Sequence, residues 1–327
     1  MYNEFFGVQK DPFGLTPDPS FLFLTDQHRE ALSGLTFALL QRRGLVVLCG
    51  EVGTGKTTLL ARILRFLPDT RLQFAMIVNP TLTPAEFLEV VLLDFGITDI
   101  PPSKAERVFT LLNLVLLGKR EDKVTVIIVD EAHLLPLKVL DEIRMLCSIE
   151  DAEDRCLQVL LVGQPELDKV LAHEDMRQLR QQIGVRLTLG PLAATEVSEY
   201  IRHRWLRAGG TEPPFTPRAI EAVSSVSANI PRLINLICGN AMIAAAADKV
   251  PLVDERHVRQ AAAKLKLGEL PRPPEFLPEP PIPAAAPAPP EKAAKITLMA
   301  APETGPSRWS RFRGKIRSTP PGKQLIT

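Results

Sequence analysis

The segment Gly50-Glu51-Val52-Gly53-Thr54-Gly55-Lys56-Thr57 follows the pattern G-x-x-x-x-G-K-[ST], which points to phosphate chemistry. Glycines let a loop turn its N–H groups inward, and a helix beginning at the loop's end adds a positive pole, so a phosphate can be held largely by main chain. Lys56 is expected to bridge β and γ oxygens, Thr57 to ligate Mg²⁺, and Thr58 to complete the nucleotide-binding set. Further along, an apolar run over 124–129 ends in Asp130 and Glu131. Asp130 is expected to hold the Mg²⁺ shell, and Glu131 to orient and polarise an attacking water. His133 fits either a capping or packing role or γ-phosphate sensing.

These side chains need a scaffold that brings distant loops together. Short aliphatic or β-branched runs at 45–49, 72–78, 124–129, 157–162 and 185–189 alternate with helical patterns near 57–66, 84–95, 104–117 and 137–147. Apolar runs of this kind predict parallel strands buried on both faces, hence a three-layer α/β sheet whose ligand edge lies at the strand C-termini. The fourth run ends in Gly163-Gln164-Pro165-Glu166, which sets an amide beside the carboxylate-bearing strand end. Gln164 reads locally either as a contact to the γ-phosphate or water, or as a turn residue before a proline-started helix. After Pro191 the strand pattern stops, and helical patterns at 193–208, 216–225, 231–247 and 254–267 predict a small all-helical unit. Its Asn229-Ile230-Pro231-Arg232-Leu233-Ile234-Asn235 sets an arginine in the first turn of an apolar helix, where a charge needs an anionic partner, nucleotide or carboxylate.

The chain of 327 residues is 45% hydrophobic, 24% charged and 6% aromatic, which suits an aliphatic-rich α/β protein and excludes a largely disordered or disulfide-scaffold chain. Cys49, Cys147, Cys156 and Cys238 have no metal-binding or redox spacing and read as buried hydrophobes of a reducing compartment. The opening MYNEFFGVQKDPFG lacks the pattern of a signal peptide, and no run is long and apolar enough for a membrane span, so the cytoplasm is expected. Prolines crowd the end: 14 of 30 fall after residue 270. The expected organisation is therefore a nucleotide-binding domain over 1–191, a helical lid over 192–270 and a disordered Pro/Ala-rich linker with a basic tail over 271–327. That tail carries 9 Lys and Arg against 4 Asp and Glu, while the rest has 30 against 34. Arg308, Arg311, Arg313, Lys315 and Arg317 around Trp309 and Phe312 could serve DNA, anionic lipid or an acidic partner, or only solubility.

Taken together, RRGLVVLCGEVGTGKTTLLAR, VIIVDEAHLL, LLVGQPEL, IPRLIN and the N-terminal FFGVQKDPFGLTPDPSFLFLTDQHREAL resemble the AAA+ ATPases of the general secretion pathway protein A (ExeA-like) type. The resemblance runs from Tyr2 to about Leu267 and implies an ASCE-type P-loop domain with a helical lid, ATP and Mg²⁺ as ligands, Gln164 as sensor 1 and Arg232 as the sensor 2 arginine. It further implies that the 12–28 segment folds over the adenine. Where the family carries a Gln-Arg pair, this chain reads Gln181-Gln182, so Arg186, which matches a second family arginine, and Arg180 become the candidates for acting on a neighbouring subunit. Relatives often continue into a membrane span and a periplasmic peptidoglycan-binding region; neither is expected within these residues, and the cell-wall function does not carry over.

The function implied is an ATPase that self-associates with ATP and drives an envelope secretion or polysaccharide-export machine, its tail docking a protein partner or the periphery of the inner membrane. A DNA-binding regulator of the transposition type and a low-turnover ATP switch are the alternatives. An acidic body argues against extensive DNA contact. Deleting residues 271–327 should leave thermal stability and nucleotide binding nearly unchanged, because a proline-rich tail adds no core; a cooperative loss of folding in the shortened chain would place the domain end elsewhere.

Overall fold

A computed structural model describes residues 2–16, 18–66, 71–78, 80–149 and 155–267. The expected linker and tail over 271–327 lie outside the described residues. The helices are α1 (Tyr2–Phe6), α2 (Asp26–Leu40), α3 (Lys56–Phe66), α4 (Pro84–Asp94), α5 (Lys104–Arg120), α6 (Leu137–Leu146), α7 (Glu166–Leu171), α8 (Arg177–Gln181), α9 (Glu196–Arg207), α10 (Pro217–Ser227), α11 (Pro231–Ala247) and α12 (Glu255–Lys264). The strands are β1 (Leu45–Gly50), β2 (Leu72–Ile77), β3 (Val124–Val129), β4 (Leu157–Gly163) and β5 (Ile183–Leu189). They form one parallel sheet in the order β2-β3-β4-β1-β5.

Alternation of side chains across the pleat gives the sheet two cores. Leu45, Val47, Cys49, Ile127, Val129, Val159 and Leu161 face the layer of α4, α5 and α6, whereas Val46, Leu48, Val126, Ile128, Leu160 and Val162 face α2 and α3. Every residue of β1, β3 and β4 is buried, which is why these runs are almost wholly apolar; the polar exceptions, Thr125 and Gln158, are hydrogen-bonded, Thr125 to Gln73 and Gln158 to the Arg155 carbonyl. Strand β5 departs from that expectation. It lies at the sheet's edge, its residues are half-buried or exposed except Leu189, and it tolerates Arg186 for that reason. Capping boxes start α4 (Thr83 with Glu86) and α5 (Ser103 with Glu106), satisfying orphan N–H groups at the entry of each helix.

A third core joins α9 to α12 and recruits residues that come before the sheet in the chain. Val8, Phe13 and Phe21 are buried with Trp205, Phe215, Ile237 and Met242. Phe13 meets Phe215 edge to face at 5.9 Å between ring centroids. Arg204 of α9 ties this N-terminal strap down: its Nε donates to the Pro12 carbonyl at 2.5 Å and its Nη2 to the Gly14 carbonyl at 3.3 Å, while the guanidinium stacks over Phe21. The four cysteines are buried and form no disulfide, and burial pushes the Cys147 thiol up to about 12. Among the described residues no helix is long and apolar enough to cross a membrane.

Because the strap supplies core to the helical layer, Phe13→Ala should cost about 3 kcal/mol or more in urea unfolding. A loss below about 1 kcal/mol would mean that the strap only rests on the surface.

Candidate nucleotide-binding site

The loop between β1 and α3 is a main-chain structure whose carbonyls are engaged. Lys56 Nζ donates to the carbonyls of Gly50 at 2.6 Å and Glu51 at 3.0 Å. Thr54 donates to the Glu51 carbonyl through both its amide and its hydroxyl. The amide of Arg232 donates to the Gly53 carbonyl at 3.2 Å, and the Gly55 carbonyl accepts from Leu59 as α3 begins. What the loop retains for a ligand is N–H groups, gathered at a helix N-terminus where the dipole favours an anion. Two positions demand glycine. Gly53 has φ +86°, and a β-carbon there would run into the Cβ of Arg232; Gly55 has φ +102° and packs against His28.

Two strands away, β3 delivers the acids. Asp130 is 8% exposed; its amide donates to the Ile77 carbonyl and its Oδ1 accepts the Glu131 amide at 2.9 Å. Burial, and then the neighbouring Glu131 charge, raise its pKa, while bonds from the Glu131 amide and Thr57 and the Lys56 charge oppose that shift. Lys56 is the counterpart: burial pulls its pKa down, and Glu131 and Asp130 pull it back up. A divalent cation between Thr57 and Asp130 would relieve the same strain on the carboxylate, and the hydroxyl and carboxylate oxygens found there are the donors Mg²⁺ selects. Glu131 sits in the left-handed region at φ 52°, aiming its carboxylate into the cleft. Its Oε2 accepts from Gln164 Nε2 at 3.2 Å and lies 3.5 Å from His133 Nδ1.

The cleft measures about 530 Å³, within the range of small-molecule sites. Its floor is the segment from Val52 to Thr58 with Asp130 and Glu131; the strap supplies Gly14, Phe21 and Phe23, and the helical layer supplies Tyr200, Arg204, Arg232 and Asn235. Phosphate loop, acids and Arg232 thus meet in one cavity. Gln164 joins it through Glu131. The other two candidate arginines are not among the residues lining the cleft: Arg186 is paired with Asp168 at 2.7 Å, and Arg180 donates to the carbonyls of Leu171 and Ala172 at the end of α7. Gln182 donates to Ser148 Oγ at 3.1 Å. Residue-by-residue reading missed His28, Tyr200, Arg204 and Asn235. A faint signal existed, since Tyr200 and Arg204 share one helix face, as do Arg232 and Asn235, and Asn235 is a polar residue in an apolar helix.

A family profile described as an AAA domain matches residues 39–171. General secretion pathway protein A of Aeromonas hydrophila is 42% identical over 247 residues, covering 75% of this chain, which spans 45% of that protein's length. Among solved structures, the ORC2 protein of Aeropyrum pernix superposes with a TM-score of 0.60 at 20% identity, covering 78% of this chain and 72% of that one. The Cdc6p protein of Pyrobaculum aerophilum does so with a TM-score of 0.61 at 18% identity, covering 79% and 71%. The latter two show a shared fold. The chain therefore belongs to the AAA+ P-loop family, in the group that resembles general secretion pathway protein A.

Proposed function

We propose that this chain binds ATP with Mg²⁺ and hydrolyses it, and that its nucleotide state drives the assembly or operation of an envelope secretion or polysaccharide-export machine. The observation that carries the reading is the convergence of Lys56, Thr57, Asp130 and Glu131 on one cleft. Lys56 exchanges carbonyl acceptors for phosphate oxygens, which carry charge and hold an ammonium better. Thr57 and Asp130 would hold the metal, which would neutralise charge on the phosphates. Glu131 orients the attacking water, and Gln164 holds that carboxylate in place. Arg232 faces the phosphates from the lid. The assignment to an export machine rests on the A. hydrophila relative, and a cytoplasmic protein docked by its basic tail on a partner or on the inner membrane is consistent with it.

Self-association belongs to this proposal, because an arginine from a neighbour would stabilise transition-state charge by about 10³-fold or more. A slow ATP switch is the second reading, favoured by Gln182 and by the cis pairing of Arg186 with Asp168. The net acidic body gives the DNA-directed alternative no electrostatic support.

Lys56→Ala should abolish binding of Mg²⁺-ATP, whereas Glu131→Gln should retain binding and lose turnover. Unchanged affinity in the Lys56 variant rejects the site. Turnover per subunit should rise with protein concentration and fall in Arg186→Ala, with Arg180→Ala tested second; turnover independent of concentration and of both arginines would leave the slow switch as the better reading.

A further inference from the structure

His28 is a buried histidine at the wall of the cleft that touches the phosphate loop. It is 4% exposed, at the third position of α2, and its ring is held at both nitrogens. Nδ1 lies 2.7 Å from Thr25 Oγ1, and Nε2 lies 3.2 Å from the Thr54 carbonyl oxygen. A carbonyl can only accept, so Nε2 carries the proton. Nδ1 is then the acceptor for the Thr25 hydroxyl, whose oxygen in turn accepts the His28 amide at 3.2 Å and caps the helix. The neutral Nε2–H imidazole satisfies every one of these bonds, and burial, which lowers the ring's pKa, keeps it neutral.

A peptide unit is planar and trans, so its C=O and N–H point in opposite directions. Fixing the Thr54 carbonyl toward His28 therefore fixes the Gly55 N–H on the side of that peptide turned away from the histidine, in a loop that lines the cleft. The ring also abuts Gly55, where a β-carbon would stand 3.2 Å from Nε2. On the other side of the loop the Arg232 amide grips the Gly53 carbonyl, so the loop is held from the strap side and from the lid side. We propose that His28 is a positioning residue for nucleotide binding, which turns the Thr54–Gly55 peptide so that its N–H faces the phosphates. This rests on the nucleotide reading above and adds a residue that the phosphate-loop pattern does not include.

Two substitutions separate positioning from a general structural role. His28→Gln extends an amide donor to where Nε2 stood and keeps the bond to Thr54; His28→Asn reaches only the Nδ1 position and leaves that carbonyl without its donor. Binding of a fluorescent ATP analogue with Mg²⁺ should weaken about tenfold in His28→Asn and stay within about twofold of wild type in His28→Gln. The two variants should melt at similar temperatures without nucleotide. Equal affinity in the two variants overturns the proposal, as does wild-type affinity in His28→Asn. Imidazole ¹⁵N shifts of the wild-type protein give a check that needs no variant to fold: the neutral Nε2–H tautomer is expected, and an Nδ1–H tautomer contradicts the bond to Thr54. If wild type fails to bind the analogue, the nucleotide reading itself is rejected and this inference with it; if wild type binds and Lys56→Ala does not, only the histidine is on trial.

Discussion

The ammonium of Lys56, 8% exposed and set in the field of two carboxylates, is the interaction on which the site depends. A buried cation is costly unless it is paired and hydrogen-bonded. Here it borrows the carbonyls of Gly50 and Glu51, acceptors that bend the loop around it, while Asp130 and Glu131 supply the balancing charge. That balance requires the C-terminal ends of β1 and β3 to share one edge of the sheet, with β4 between them to deliver Gln164. A parallel sheet meets the requirement, and its largely apolar inner strands suit the burial on both faces that such a sheet imposes.

Much of this was legible in the chain because the informative interactions are local. Five apolar runs located the strands, and glycines, lysine and threonine located the phosphate loop, since each element is specified by residues adjacent in sequence. The exception among the strands was β5, whose apolar residues suggested burial although Arg186 and Gly184 mark an edge. What composition and periodicity could not reveal is the wall of the cleft opposite the loop. The strap reaches it by packing Phe13 and Phe21 into a core more than 170 residues away in sequence, and Arg204 finds its partners at Pro12 and Gly14. Such contacts leave no period in the sequence. His28 was hidden for the same reason, as one polar residue at a helix start whose second partner, Thr54, lies in another element.

The arginines illustrate a different limit. Sequence offers candidates for action on a neighbour, but each already has a local occupation: Arg180 covers the exposed carbonyls ending α7, and Arg186 is held by Asp168, which also accepts the Cys49 thiol from β1. Burial, and then the Asp168 charge, push that thiol up to about 12, so Cys49 acts as a neutral donor beneath the phosphate loop. Releasing Arg186 would leave Asp168 with the thiol alone, a rearrangement that reaches β1 one residue before Gly50. The edge of the sheet and the nucleotide loop are thus joined by one carboxylate.

The central claim is that Lys56 is held by its own loop in a geometry ready for phosphate. A crystal structure with Mg²⁺ and a non-hydrolysable ATP analogue tests it most directly. The account predicts the triphosphate at the N-terminus of α3, Lys56 Nζ moved from the Gly50 and Glu51 carbonyls to phosphate oxygens, and the metal against Thr57. A nucleotide bound elsewhere, or a Lys56 still on those carbonyls with the analogue in place, would contradict it.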